Sequence, residues 1–270
     1  MSVLGFKKQI WEGSLINNFH SVSIADAVTT APTDVNGSKV TFNRVGSGVI
    51  KDYTGVVAWD EIDTTPIELI FAQKKYFAFA LDDVDKVQLA GELLGATTME
   101  HSLALAEIID AYVLNIAQVG VKTANKIGLL ATPISITKVT QGYDLIVDLG
   151  TKLSKSKTPV TDRFVVMNAD FLNLLQKDVR FTTNPVVLAN GVVDGTQING
   201  MTLVISEEVG NGKVVAMHKS SVGYGKQLDE LEAMRLTTSF SDGIRGLAVY
   251  DACVLRDDSV AVLYYTVALV

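Results

Sequence analysis

The sequence predicts an α+β fold in which one strand feeds one long helix, and three observations carry that reading. The stretch Glu68 to Asp85 alternates large and small residues like a strand before it turns acidic. Apolar residues then recur at intervals of three or four between Met99 and Ile116. Beyond Lys126, β-branched runs alternate with helical patterns, and Pro133, Pro159 and Pro185 fall between them as breakers.

In chain order, Met1 to Pro32 carries Phe6, Ile10, Trp11, Leu15, Ile16 and Phe19 without a sustained period. It reads as an extended arm whose aromatics must be covered by the body or by a neighbour. An ordinary first helix over Ile10 to Asn18, with Ile10, Trp11, Leu15 and Phe19 on one face, fits equally well.

Lys39 to Arg44 and Val49 to Tyr53 read as strands joined by a Gly46-Ser47-Gly48 turn. An acidic middle, Thr54 to Pro66, holds Trp59, Asp60, Glu61 and Asp63. Such a hairpin has little apolar face and free edges, so it needs a partner surface.

The next strand spans Ile67 to Leu81. Leu69, Phe71, Phe77, Phe79 and Leu81 make a bulky face, and Ala72, Ala78 and Ala80 a small one that the following helix is expected to approach closely. Lys74 and Lys75 interrupt the pattern, and Asp82, Asp83 and Asp85 end the strand and offer a cap to a short helix over about Asp83 to Leu94.

Thr97-Thr98-Met99-Glu100 matches a capping box. The helix it opens carries Met99, Leu103, Ala106, Ile109, Val113 and Ile116 on one face and ends near Gly120. Leu105, Ile108, Tyr112 and Leu114 lie on its other faces, which predicts a central strut covered on more than one side. Three clean heptads do not fit, which disfavours a coiled coil.

Further on, helices are expected at Asp144 to Lys155, with Ile146, Leu149 and Leu153 inward, and at Ala169 to Lys177, capped by Asn168. Strands are expected at Arg163 to Met167, Met201 to Ser206, Lys213 to Met217, Leu231 to Thr237, Leu247 to Leu255 and Val260 to Val267.

Bulk properties narrow the function. At 270 residues, 48% hydrophobic and 20% charged, the chain can bury a large core, here expected as one compact domain with extensions. No apolar run reaches the roughly 18 residues that span a bilayer, and Met1 to Gln9 lacks the order of a signal peptide, so a protein made in a cytoplasm with no membrane partner is expected. The net charge of −7 offers no general grip on nucleic acid. Cys253 lies in an apolar run and reads as a buried, inert thiol.

The search for chemistry returns no catalytic, cofactor or metal site. His20, His101 and His218 are far apart and lack ligands at metal-binding spacing. Val45-Gly46-Ser47-Gly48 and Gly210-Asn211-Gly212-Lys213 lack the remaining elements of dinucleotide and phosphate loops and read as turns. No Gly-x-Ser-x-Gly elbow occurs, and Asp162-Arg163 and Asp257-Asp258 do not by themselves make an acid–base pair.

With these parts in order, the chain resembles the major capsid proteins of tailed bacteriophages, the Hong Kong 97-like fold. The resemblance rests on the arm, the long hairpin, Gln73-Lys74-Lys75-Tyr76-Phe77-Ala78-Phe79 followed by Asp82-Asp83-Val84-Asp85, and the long helix. The closing half agrees through Asn199-Gly200-Met201, Val204-Ile205-Ser206, Met217-His218-Lys219, Gln227, Glu232, Arg235, Phe240, Asp242-Gly243-Ile244, Leu247 and Tyr250. It implies an N-terminal arm over 1–37 and an extended loop over 38–66. It further implies a peripheral domain from 67–127 and 237–270, with a spine helix near 97–120, and an axial domain over 128–236.

By resemblance, pentamers and hexamers would form an icosahedral head around double-stranded DNA that is enclosed without sequence-specific binding, assembled in the host cytoplasm and located in the virion. A portal is an implied partner, and a separate scaffolding protein is expected because no long charged helical preface precedes Phe6. Some relatives crosslink a loop lysine to an asparagine; Lys51, in the corresponding loop, is expected to be simply exposed. Candidate subunit-interface residues are Phe6, Trp11 and Phe19 in the arm, Arg44, Lys51, Asp52, Val57, Trp59, Asp60 and Glu61 in the loop, and Lys74 and Lys75 at its base. An encapsulin-like compartment shell is the nearest alternative. An α+β enzyme with a dispersed active site is the alternative from another class.

Overall fold

The computed structural model describes residues 24–32, 39–45, 50–53, 55, 59, 64–82, 92–181, 186–187, 192–236 and 240–268. The elements are α1 (Ala25–Val28), β1 (Lys39–Val45), β2 (Thr64–Ile70), β3 (Gln73–Asp82), α2 (Glu92–Val119), β4 (Lys126–Ile127), β5 (Ile134–Ile136) and α3 (Thr140–Lys155). There follow β6 (Arg163–Met167), α4 (Ala169–Gln176), β7 (Val186–Val187), β8 (Val192–Ile198), β9 (Met201–Ile205), β10 (Lys213–His218), β11 (Val222–Arg235), β12 (Ser241–Val254) and β13 (Val260–Val267).

The central sheet runs β4-β13-β10-β6-β9-β8-β7, with β5 paired to the end of β13. Its strands read as unbroken apolar runs because both faces are covered. Val165, Met167, Val214, Ala216, Ala261 and Leu263 face Ile146, Leu149 and Leu153 of α3 and Phe171 and Leu175 of α4. Their neighbours Val166, Val215, Met217, Val260 and Val262 face Ile109, Val113, Leu114 and Ala117 of α2. Period-two alternation thus divides each strand between two cores.

Helix α2 is 28 residues long, about 42 Å. Its far side meets a second sheet, ordered β11-β12-β3. There Tyr112 meets Tyr250 edge to face at 5.6 Å, and His101 stacks on Phe77 and Phe79 at 5.5 and 4.9 Å. Contact with two sheets explains why this helix is apolar on more than one face.

Several expectations of the sequence hold. The ranges of β6 and β13 agree residue for residue. Asn168 caps α4, its Oδ1 accepting from Phe171 N at 3.1 Å. Buried Arg163 is structural: it donates to the carbonyls of Pro159 at 2.7 Å and Thr158 at 2.6 Å and to Ser154 Oγ at 3.0 Å, pinning the end of α3 to β6.

Others are corrected. Thr97 opens nothing, because α2 begins at Glu92, and only 92–94 of the expected short helix is described, as part of α2. β1 pairs with β2, from Lys39 opposite Ile70 to Val45 opposite Thr64, so the hairpin is not closed against Val49 to Tyr53; residues 50–53 are not strand. The Gly46-Ser47-Gly48 turn lies outside the described residues.

The expected strand Ile67 to Leu81 is two strands, broken at Phe71 and Ala72. The helix approaches its bulky side through His101, while Ala72, Ala78 and Ala80 stay exposed. Strands β4, β5, β7 and β8, the first half of β11 and the start of β12 lie outside the strands expected from the sequence.

The chain before Pro32 is not wholly a free arm. Ile24, Ala25 and Val28 are buried, and buried Asp110 of α2 accepts from Ile24 N at 3.2 Å and Ala25 N at 3.0 Å. Thr30 then bridges Gly223 of β11.

Candidate functional site: the hairpin root and the outer sheet face

The β11-β12-β3 sheet turns one face to α2 and the other outward, and the β1–β2 hairpin is rooted on that outer face. Leu69, Phe71 and Val249 are buried together, with Val40, Phe42, Leu247 and Cys253 packed around them. Two glycines of β11 make room. A Cβ on Gly223 would lie 3.0 Å from the Phe42 ring, and one on Gly225 would lie 3.0 Å from the Phe71 ring and 3.2 Å from Leu69. The hairpin therefore has more apolar face at its base than its sequence suggested, and its own chain covers it.

Where β2 gives way to β3, one buried carboxylate joins three elements. Asp251 of β12 accepts from Ala72 N at 3.0 Å, from the Tyr112 hydroxyl of α2 at 2.7 Å and from Ala252 N at 2.7 Å. Three donors compensate a charge that burial would otherwise penalise. Burial, reinforced by the hydrogen bond to Asp251, pushes the Tyr112 phenol up to about 12, so it stays a donor at ordinary pH. Asp251 thus fixes the root of the hairpin to the long helix.

Farther out on the same face lies an open groove of about 290 Å³, lined by Ala78, Ala80, Met234, Leu236, Gly243 and Arg245. The register places Ala78 opposite Arg245, and Ala80 opposite Gly243. Arg245 donates through Nε to Glu232 Oε2 at 2.9 Å while its side chain stays 60% exposed. The sequence signal for this groove is the row of alanines, expected on the helix side and found on the opposite one.

The structure places the predicted interface residues as follows. Phe6, Trp11, Phe19, Val57, Asp60 and Glu61 lie outside the described residues. Arg44 is in β1, its backbone opposite Thr65. Lys51 and Asp52 are exposed, and Trp59 is 92% exposed. Lys74 and Lys75 do not interrupt a strand; both lie inside β3, opposite Val249 and Ala248, and are exposed. Lys74 shares the outer face with the groove, whereas Lys75 alternates to the other side.

Among the described residues no cluster of His, Cys, Asp and Glu could hold a metal ion. Burial, with a contribution from Asp251, pushes the Cys253 thiol up to about 11, so it is protonated at neutral pH and a poor nucleophile. No described helix is long and apolar enough to cross a membrane.

Residues 66–263 match the family model described as phage capsid protein. The chain belongs to that family. Among solved structures, a chain from Mycobacterium phage Che8 is similar at 28% identity, covering 84% of this chain and 85% of its own, with a TM-score of 0.64. A chain from Microbacterium phage Oxtober96 shares the fold at 14% identity, with 90% and 91% covered and a TM-score of 0.65. So does the encapsulin complex of Synechococcus elongatus, at 13% identity, 88% and 85% coverage and a TM-score of 0.60. No match is found among curated proteins. The capsid protein thus has a Hong Kong 97-like fold and a structural role in the phage shell, and the expected α+β class holds.

Proposed function

We propose that this capsid protein assembles head to tail into pentamers and hexamers that tile an icosahedral head, each subunit laying its extended loop, 38–66, across a neighbour. The observation that carries this is the exposure of Ile50, Tyr53 and Trp59, at 96%, 77% and 92%, beyond a hairpin whose base is already packed. Large apolar side chains left in water on a rooted arm are an interface awaiting a partner. A head-to-tail contact between an arm and a separate receptor surface closes into rings, as such a shell requires.

Phe6, Trp11, Phe19 and Val57 are further apolar anchors in this reading, with Arg44, Lys51, Asp52, Asp60, Glu61, Lys74 and Lys75 setting register. The shell encloses double-stranded DNA without gripping its sequence, consistent with a net charge of −7. A portal and a scaffolding protein complete the head, which is assembled in the host cytoplasm. The phage reading is preferred to a cellular compartment because the family match spans most of the chain, whereas the encapsulin likeness is one of fold alone.

Deleting Gly46 to Asp63 tests the docking role. The variant should keep the circular dichroism of a folded body and sediment as free subunits. Shells of normal size on electron micrographs would refute it.

A further inference from the structure

One end of the central sheet collects positive charge. Strands β6 and β13 begin there, β10 ends there, and Arg163 pins the C-terminus of α3 to the same place. Backbone bonds tie the surrounding connections together. Lys122 N donates to the Asp257 carbonyl at 3.2 Å, Lys219 N to the Asp162 carbonyl at 3.0 Å and Arg256 N to the Ser221 carbonyl at 3.1 Å. Lys152 Nζ donates to the Ala124 carbonyl at 2.7 Å, which closes α3 onto the segment before β4.

These connections bring together Lys122, Lys155, Lys157, Lys219 and Arg256, all exposed, and half-buried Lys126 and Lys152 lie beside them. The carboxylates in the same connections are Asp162, Asp257 and Asp258, so seven cations meet three anions on a chain whose net charge is −7. Among the described residues none of the seven makes an ion pair, whereas Arg180, Lys226, Arg235 and Arg245 all do. The carbonyl end of α3 accounts for Lys152 and Lys155, which lie in its last turn. The other five lie outside the α-helices and repel one another until an anion joins them.

We propose that this end of the central sheet is a landing face for the phosphate backbone of duplex DNA, turned toward the contents of the shell. The inference rests on the reading of the chain as a shell around DNA, and it adds the surface that meets the DNA.

Three features select this partner. The first is size. Strands about 4.8 Å apart put the ends of β4, β13, β10 and β6 across roughly 14 Å, a length over which a duplex presents about eight phosphate charges. The second is the kind of cation. Six of the seven are lysines, whose flexible ammonium groups meet a row of phosphates as point charges, without the fixed fork that arginine brings to a single carboxylate.

The third is what the connections lack. They carry no aromatic side chain on which an unpaired base could stack. Their one amide, Asn125, is buried and donates to the carbonyls of Asp258 at 2.8 Å and Val260 at 3.0 Å. The face therefore suits a duplex backbone and reads no sequence. The three carboxylates hold the excess to four charges, so each contact is weak and falls with salt.

The test follows binding of a labelled duplex of about 30 base pairs to unassembled full-length subunits by fluorescence anisotropy, over a range of salt. Lys122→Gln, Lys155→Gln and Lys157→Gln together should weaken binding at least about tenfold. Each lost phosphate contact takes about 0.9 from the slope of log affinity against log salt, so the slope should fall by about two to three. The three corresponding arginine substitutions should keep both affinity and slope. Removing the same charge at the opposite end of the body, by Lys138→Gln, Lys177→Gln and Lys213→Gln, should also leave both unchanged. In assembled heads, acetylation of Lys122, Lys155 and Lys157 read by mass spectrometry should be at least about fivefold slower when DNA is inside than after it is emptied.

Equal weakening by the two glutamine triples, unchanged binding in the first of them, or equal acetylation in filled and emptied heads overturns the proposal. Displacement of the duplex by a synthetic peptide of residues 50–63, with the lysines unprotected in filled heads, would assign the face to an acidic segment of another copy and overturns it too. If wild-type chains form no shells, the shell reading falls and the landing face with it. If shells form and fill while these lysines stay unprotected, the landing face alone falls.

Discussion

The two sheets of this capsid protein use the same alternating strands and differ in what covers them. The central sheet is closed on both faces, by α3 and α4 on one side and α2 on the other, and its middle strands are apolar at nearly every position. The β11-β12-β3 sheet is closed on its inner face by α2, but its outer face is closed only where the β1–β2 hairpin lies, and it opens beyond. One sheet is therefore a core, and the other is a platform with an intramolecular half and an accessible half. The contrast places the largest share of buried apolar surface in the first and leaves open surface on the second.

The contrast breaks most visibly if a charge is placed in the core. Val215 is fully buried between α2 and the central sheet, and Val215→Asp should cost about 4 kcal/mol or more. That is a large share of the roughly 5–15 kcal/mol that holds a domain together, so soluble, folded protein should be nearly absent at 37 °C by circular dichroism and gel filtration. A variant that folds normally would show that the two-sided burial is not essential.

Gly225→Val sharpens the comparison on the platform. Its Cβ would press on Phe71 and Leu69, and overpacking of this kind costs about 1–3 kcal/mol. The loss should be local: hydrogen exchange should quicken at Val40, Phe42 and Leu69 while amides of β6, β10 and β13 keep their protection. Equal loosening of both sheets would mean that the hairpin root is not a separate layer.

The smallest effect concerns the core side and is read through pH. Buried Asp178 accepts from Arg180 Nη2 at 2.7 Å and Nε at 3.1 Å, and this contact holds its carboxyl below the usual carboxylate range. Arg180 also donates to Asp144 at 2.7 Å and lies 4.5 Å over the Tyr143 ring, tying α3 to the end of α4. Because the folded pKa lies below the unfolded value, the contribution is complete above about pH 4 and is lost as pH falls through the folded value. Arg180 is partly exposed, so solvent screening keeps the effect modest. Asp178→Asn should remove part of the fall in thermal midpoint below about pH 4; an unchanged slope would count against the pair.

Much of this architecture is legible in the sequence. Buried strands such as β6 and β13 announce themselves because period-two burial leaves a mark in every residue, and the Asn168 cap is a local signal met by a local hydrogen bond. The long helix was legible as a strut with more than one covered face because Leu105, Tyr112 and Leu114 had no reason to be apolar otherwise. The site was legible only in outline. Trp59 stands out as an aromatic in an acidic loop, but the groove on the outer sheet face does not, since Ala78, Ala80, Met234 and Gly243 are scattered over three strands and none is unusual alone.

The sequence by itself determined the buried strands β6 and β13, the Asn168-capped helix α4 and the long helix covered on more than one side, since each is a matter of local period and composition. Only the tertiary structure decided that β1 pairs with β2 across a long connection, that His101 meets the phenylalanine face of β3, and that Asp251 binds helix, sheet and hairpin root at one point. The physical reason is that strand pairing and face selection depend on contacts between residues far apart in the chain. A strand with one bulky and one small face has two workable partners, and local alternation is the same for both.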